Sequence, residues 1–294
     1  MIIGIPKSLL YYQYGVMWTT FLEELGCEVL LSCDTNGALF EEGVRKSVSE
    51  CCLPAKAYLG HVHSLINRCD YILVPYATRK TGGDEICLRF WGLGDVIRHT
   101  YPEARLLEYD LCKDGFRHFK TVGKILGRNP RNIRSAYKTA LAAQTLFDEK
   151  LQNAQTSLLT DSRLKILVAG RPYVIHDPYI GGSVIKILSD LNSVPLFSDR
   201  FAKKDSMEQS AKISPRLYWT ANREITGAVA ANQHMLDGVL ILTAFPCAPD
   251  ALSGEMIQRV VKDIPVGLIS LDGLQSEAGL QTRIESFVDI MREC

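Results

Sequence analysis

Residues 237–252 read DGVLILTAFPCAPDAL, an apolar run that ends at Cys247, which is held between Pro246 and Pro249. Apolar residues in unbroken succession, without the alternation of a half-exposed strand, predict a strand buried on both faces, as in a parallel sheet covered by helices. Such a strand usually gives way to a turn residue such as Gly or Asn; here it gives way to a thiol. Neither proline donates a backbone hydrogen and both narrow the accessible torsions, so the loop is stiff. The N–H groups of Cys247 and Ala248 are then left to aim at a sulfur ligand.

The same alternation of short apolar runs and helical patterns extends in both directions. Toward the N-terminus, MIIGI, CEVLLS, DYILVPY and ARLLEYD read as strands, and SLLYYQYGVMWTTFLEEL carries apolar side chains at helical spacing up to Gly26. In the second half RLKILVAG, SVPLFS, GVLILTAF and IPVGLIS are the strand candidates, with a helix from Gly182, polar-faced helical stretches up to His234, and an amphipathic C-terminal helix. Residues 115–160 hold helix formers and no strand candidate. The expected fold class is therefore α/β: two Rossmann-like domains with mostly parallel sheets, 1–125 and 161–294, joined by a helical connector, 126–160.

Composition narrows the function. Lys plus Arg and Asp plus Glu each number 33, so no long-range field points toward nucleic acid or an anionic membrane. No window reaches the roughly 18 apolar residues that a membrane-spanning helix needs, and the first residues show no basic leader with a cleavage site. The expected location is the cytoplasm, and the expected partners are a small-molecule substrate or another protein, with a homodimer among the assemblies considered. The nine cysteines are then not disulfides, because cytosolic reductants keep thiols free. No pair at zinc-finger spacing occurs among them.

Three cysteines stand at structural boundaries. Ligands of open parallel sheets gather outside the carboxyl ends of strands, where helix N-termini point at them. Cys247 occupies such an end. Cys52 stands immediately ahead of the helix opened by LPAK, where the helix dipole favours a thiolate. Cys87, in TGGDEICLRFWGLG, follows the strand YILVPY through a glycine-bearing loop and precedes another helix. Only a fold could bring residues so far apart in sequence together.

The segments GIPKSLLYYQYGVMWTTFLEELGCEVLLS, CCLPAKAYLGHVHSL, ICLRFWGLGDVIR, AGRPYVIHDPYIGGSVIKIL, LTAFPCAPDAL and AGLQTRIESFVDIM together resemble the acyl-CoA dehydratase activase-related proteins, of the 2-hydroxyacyl-CoA dehydratase and benzoyl-CoA reductase subunit group. The resemblance implies two Rossmann-like domains with an oxygen-sensitive [4Fe–4S] cluster in the cleft between them, held by three cysteines and with its fourth iron open. Carried over, the ligands fall on Cys52, Cys87 and Cys247. It also implies an electron-accepting role opposite an ATP-dependent activator, an actin-like ATPase with its own cluster. This chain carries no P-loop pattern, so the ATP-driven step is expected from that partner. A double-cubane cluster, known in relatives, would need about six converging ligands, against three in a suitable setting. Where the family commonly shows Cys-Gly-Pro-Asp, this chain has Cys247-Ala248-Pro249-Asp250, and Leu88 stands where Cys87 is often followed by proline.

The loop GRPYVIHDPYIGG (170–182) links a strand to a helix, which turns Tyr173, His176, Asp177 and Tyr179 toward the crevice of Cys247. His176 is the candidate to protonate a substrate or to donate a hydrogen bond toward the cluster, and Tyr173 to contact the cofactor. The plainer alternative is that Asp177 and Gly181 make the turn and cap the helix. His61 and His63 lie two apart on one helix, hence on different faces, and read as structural. Arg79 and Lys80 are candidates for an anionic ligand. Cys51 reads as a core neighbour of Cys52, and Cys27, Cys33, Cys69, Cys112 and Cys294 have no assigned role. The rival reading is a non-redox protein that binds an acyl-CoA or a nucleotide-like ligand, with structural cysteines; a structural zinc site on the same thiolates is a third.

Overall fold

The computed structural model describes residues 1–77, 85–110, 115–273 and 277–293. The chain divides into two compact units, Met1–Cys51 with Ala55–Asp148, and Cys52–Pro54 with Glu149–Cys294. Arg79, Lys80, Cys112 and Cys294 lie outside the described residues.

In the first unit the apolar runs form β1 (Ile2–Ile5), β2 (Glu28–Leu31), β3 (Tyr71–Tyr76) and β4 (Leu106–Asp110). They pair in the order β2-β1-β3-β4, all parallel, with Ile3 opposite both Val29 and Tyr71, and Val74 opposite Glu108. Helix Tyr11–Glu24 returns the chain from β1 to β2 and lays Trp18, Phe21 and Leu22 on the sheet. It stops where the sequence places a glycine. Gly26 has φ +71°, its N–H donates to Glu23 O at 2.8 Å, and the N–H of Cys27 donates to Leu22 O at 3.0 Å. This left-handed cap satisfies carbonyls that the helix end would otherwise leave unpaired. Next, Asn36 caps helix Gly37–Arg45 by accepting from the N–H of Leu39 at 3.1 Å.

Helix Gly37–Arg45 packs on helix Leu53–Leu65 through two glycines. A Cβ on Gly43 would fall 1.9 Å from the carbonyl oxygen of Lys56, and one on Gly60 would fall 2.0 Å from that of Leu39. The backbones approach so closely only because neither residue carries a side chain, and this contact fixes the helix that Cys52 precedes.

In the second unit the strands are β5 (Leu164–Gly170), β6 (Ser193–Phe197), β7 (Gly238–Ala244) and β8 (Val266–Leu271). Their order, β6-β5-β7-β8, repeats that of the first sheet, and again every pairing is parallel. All seven residues of β7 are buried, as the apolar run predicts. Its core joins Leu167 and Ala169 of β5, Leu196 of β6 and Ile241 of β7 to Ile225, Val229 and Ile257 on the covering helices. The edge strand β6 finds a side-chain partner: the amide of buried Gln155 accepts from the N–H of Phe197 at 2.7 Å and donates to its carbonyl at 3.0 Å. The fold is thus α/β, with two like-ordered four-stranded parallel sheets.

The helical stretch expected at 126–160 is one 29-residue helix, Pro130–Leu158. Its first half supplies Ile133, Ala136 and Ala140 to the core of the first unit, and the two units part within it, after Asp148. Among the described residues, no helix is long and apolar enough to cross a membrane.

The Gly43–Gly60 contact makes a specific prediction. Gly60→Ala forces the two helices apart and is expected to destabilise the first unit by about 1–3 kcal/mol, read as a lowered thermal midpoint. Gly37→Ala, at a position where an added Cβ meets nothing within 4 Å, is expected to hold or slightly raise that midpoint.

Candidate functional site

Each sheet has one place where the chain leaves neighbouring strands in opposite directions. In the order β2-β1-β3-β4 it lies between β1 and β3; in β6-β5-β7-β8 it lies between β5 and β7. Ligands of open α/β sheets settle at such switch points, beyond the carboxyl ends of the strands. Two of the cysteines singled out in the sequence come after the third strand of their own sheet. Cys247 follows β7 and is the capping residue of helix Ala248–Val260, with Ala248 as the first helical residue. Cys87 is the next cysteine after β3 and caps the short helix Leu88–Trp91.

Cys52 immediately precedes helix Leu53–Leu65, and residues Cys52–Pro54 group with the second unit. The N–H of Leu53 donates to the carbonyl of Phe245 at 3.1 Å, while the N–H of Phe245 donates to Leu271 at the end of β8 at 2.8 Å. The backbone beside Cys52 is thereby stitched to the backbone two residues ahead of Cys247. Cys87 belongs to the first unit, where Arg89 donates to the carbonyl of Glu50 at 3.1 Å. Cys52, Cys87 and Cys247 are all partly exposed, whereas Cys27 and Cys51 are buried and Cys33 lies on the surface. Cys69 donates to the carbonyl of Leu65 at 3.3 Å, and burial raises its thiol pKa. Among the described residues, no group of three His, Cys, Asp or Glu side chains is assembled as a metal-holding site.

The most developed polar cluster of the second unit surrounds Cys247. Arg171, the residue after β5, is 7 % exposed and meets Asp250 in the first turn of helix Ala248–Val260. Its Nε lies 3.0 and 3.2 Å from the two carboxylate oxygens, and its Nη2 lies 2.8 Å from Oδ1. Nη2 also donates to Asn222 Oδ1 at 2.9 Å. Asn222 Nδ2 donates to Asp250 Oδ1 and to Ser253 Oγ, each at 2.9 Å, and to the carbonyl of Pro249 at 3.1 Å. Burial opposes both charges, yet their mutual attraction prevails: Arg171 is raised well above its ordinary pKa and Asp250 is held below the usual carboxylate range. Burial, with the negative charge of Asp250 adding to it and Arg171 opposing, pushes the Cys247 thiol up to about 12.

Arg171, Asp250, Asn222 and Ser253 had no role in the sequence reading. Two signals pointed at them: an arginine directly after the strand-ending Gly170, and an aspartate three residues beyond Cys247. Nothing in the sequence marks Asn222 or Ser253.

Tyr173, on the short helix Pro172–Ile175, lies with Cys247 within the electrostatic reach of Arg171. His176 turns its Nε2 to Asp199, 2.9 and 3.1 Å from the two carboxylate oxygens, with its ring 5.0 Å from that of Phe197. Asp177 makes the turn, as the plainer alternative had it. Its Oδ1 accepts from the N–H groups of Tyr179 and Ile180 at 2.9 and 3.0 Å, and its carbonyl accepts from those of Gly181 and Gly182. Tyr179 is exposed.

His61 and His63 separate as their spacing predicts: His61 is fully buried and His63 is exposed. The N–H of Lys7 donates to Ser32 Oγ, and His61 places Nδ1 2.7 Å from the same Ser32 hydroxyl and Nε2 2.9 Å from the Thr35 hydroxyl. Burial pushes His61 down to about 4, which suits a neutral ring with both nitrogens satisfied.

A family model described as CoA enzyme activase uncharacterised domain (DUF2229) matches residues 2–201. The chain belongs to this family. No curated protein matches the chain. Among solved structures, ZnuA is 14 % identical over 99 % of this chain and 98 % of its own, with a TM-score of 0.27. The SBP FpvC of P. aeruginosa in complex with Ni2+ is 10 % identical over 99 % and 96 %, with a TM-score of 0.29. An Mn-bound mutant periplasmic metal binding protein from Candidatus Liberibacter asiaticus is 10 % identical over 100 % and 99 %, with a TM-score of 0.27. Likeness at these scores carries nothing to what this chain binds.

Two outcomes follow from these geometries. Arg171→Met strands the Asp250 charge in the interior and is expected to cost about 3–5 kcal/mol, much of it recovered in the double variant Arg171→Met/Asp250→Leu; thermal unfolding of both checks this. The depressed His61 ring binds its proton more weakly in the fold than in the unfolded chain, where the pKa is near 6.5. Its contribution is therefore complete above that pH and is lost as pH falls toward 4. Between pH 7 and pH 5 this removes ~2 kcal/mol of stability, a pH slope expected to be absent from His61→Asn in denaturant titrations.

Proposed function

We propose, for a chain that belongs to the CoA enzyme activase domain family, an iron–sulfur redox role in which Cys52, Cys87 and Cys247 together hold a [4Fe–4S] cluster. The observation that carries this reading is the repeated placement of Cys87 and Cys247. Two sheets of the same strand order are each followed, after their third strand, by a partly exposed thiol that heads a helix, and such sheets bind ligands beyond the carboxyl ends of their strands. Cys52 supports it through the Leu53–Phe245 hydrogen bond beside Cys247.

The donor set fits the group. All three residues offer soft sulfur, which iron–sulfur centres select. A helix follows each of them. Bound there, the cluster would supply one-electron transfer at low potential to a small substrate. The chain's own residues have preparatory tasks. Cys247, whose thiol burial holds protonated, must release its proton before its sulfur can ligate. Tyr173 and His176 lie on the stretch that follows β5, and His176, steadied by Asp199, is the group there able to hold or pass a proton. The electrons come from an ATP-dependent activator, an actin-like ATPase with a cluster of its own, and the setting is the cytoplasm.

Reconstitution of the full chain with ferrous iron and sulfide in the absence of oxygen tests the reading. The expected result is stoichiometric iron and sulfide with broad visible absorption, most of it lost in Cys52→Ser, Cys87→Ser and Cys247→Ser and all of it kept in Cys33→Ser. Equal iron in all four variants, or uptake of zinc alone, contradicts it.

A further inference from the structure

The carboxyl end of β6 is fixed residue by residue. Phe197 has its N–H and its carbonyl held by Gln155. The Oγ of Ser198 accepts from the N–H of Gly170 at 3.2 Å and donates to the carbonyl of that residue at 3.3 Å, which ties it to the end of β5. Asp199 presents both carboxylate oxygens to His176 Nε2. The pattern stops at Arg200, the last residue of the single helical turn Ser198–Arg200. Its Nε is buried without a hydrogen-bond partner, and among the described residues its guanidinium enters no hydrogen bond or ion pair. The carboxylate next to it in sequence is already committed to His176.

A cation drawn out of water without a partner is costly. Burial lowers the Arg200 pKa, and the charge of Asp199 opposes this only in part. Stacking offsets some of the cost: Cζ lies 4.3 Å from the centre of the Phe197 ring, a cation–π contact that satisfies no N–H donor. Arg171, at the end of β5 in the same sheet, shows the alternative, with its fork met by Asp250 and Asn222. Arg200 has the same fork, set on an aromatic platform that is itself held in place, and no acceptor from the described chain.

A guanidinium matches two oxygens of an oxyanion at once. In βαβ units that hold nucleotides, the acidic residue that follows the second strand meets the ribose, and an arginine nearby accommodates a phosphate on it. Asp199 and Arg200 follow β6, the second strand of its unit, which helix Gly182–Asp190 joins to β5. We infer that Arg200 anchors a phosphate-binding site at the carboxyl edge of the second sheet, its guanidinium taking two oxygens of a phosphate that is either the free ion or carried on the ribose of a nucleotide, with the Phe197 ring as its platform. The site uses no cysteine, so it stands or falls separately from the cluster.

The full chain, Arg200→Gln, Arg200→Lys and, at an exposed arginine, Arg216→Gln are titrated by calorimetry in phosphate-free buffer with inorganic phosphate, adenosine 2′-monophosphate and adenosine. The expected result is saturable binding of both phosphate-bearing probes to the full chain and to Arg216→Gln, weaker by about tenfold or more in Arg200→Gln and Arg200→Lys, and no binding of adenosine. Tighter binding of the nucleotide than of inorganic phosphate assigns the site to a nucleotide phosphate, and equal binding assigns it to the free ion. Wild-type affinity in either Arg200 variant overturns the site, as does a full chain that binds neither phosphate probe. Thermal unfolding separates this role from a structural one. Without phosphate, Arg200→Gln is expected to keep or raise the midpoint, because it removes a charge buried without a partner, and added phosphate is expected to raise the midpoint of the full chain but not of that variant. A midpoint that falls in Arg200→Gln, with no effect of phosphate on the full chain, overturns the proposal in favour of a structural arginine.

Discussion

The reversal of strand order inside each sheet is the constraint on which the rest of the structure depends. With the second strand beside the first and the fourth beside the third, the chain leaves the two central strands in opposite directions. Backbone from the two flanks therefore diverges at the carboxyl edge, and side chains from residues far apart in sequence meet there. In the second unit Arg171 leaves β5 and Cys247 follows β7 at this edge, and the pairing of Gly170 with Leu242 sets those two strands side by side. The first unit repeats the order with different residues: Lys7 pairs with Asp34 beyond the ends of β1 and β2, and Cys87 follows β3.

The polar cluster at the second switch point shows how much organisation this edge carries. Arg171 and Asp250 are both buried, and Asn222 and Ser253 satisfy the capacity the pair leaves over. Such a network becomes a liability when any one member is missing, because the low dielectric that strengthens its bonds also penalises an orphaned charge. The arrangement makes sense where direction matters. It joins the ends of β5 and β7 through side chains.

The sheets were legible in the sequence because burial leaves a plain mark. GVLILTA reads as unbroken apolar residues, and all seven are buried; MIIGI, DYILVPY and RLKILVAG gave up their strands for the same reason. Helix ends were legible where one residue decides them, as at Gly26. The positions of Cys52, Cys87 and Cys247 ahead of helices followed from the same boundaries. The polar cluster was not legible, since its members come from three elements separated by dozens of residues and no spacing rule ties an arginine after one strand to an aspartate after another. The pairing of Gln155 with the edge of β6, and the insertion of Gln144 between the carbonyl of Gln13 and the N–H of Met17, escaped for a like reason. A glutamine on a long helix reads as a solvated residue until the strand or helix beside it is known.

The central claim is that three thiols share one inorganic centre, and chemical protection reports on that sulfur by sulfur. The chain is alkylated with iodoacetamide in the absence of oxygen, before and after removal of iron by a chelator, and the modified cysteines are mapped by peptide mass spectrometry. The account predicts that Cys52 and Cys87 resist alkylation together while iron is bound and become reactive together once it is removed, with exposed Cys33 reacting in both states and Cys247, whose thiol burial holds protonated, slow in both. Reactivity of Cys52 and Cys87 that is the same with and without iron would contradict it.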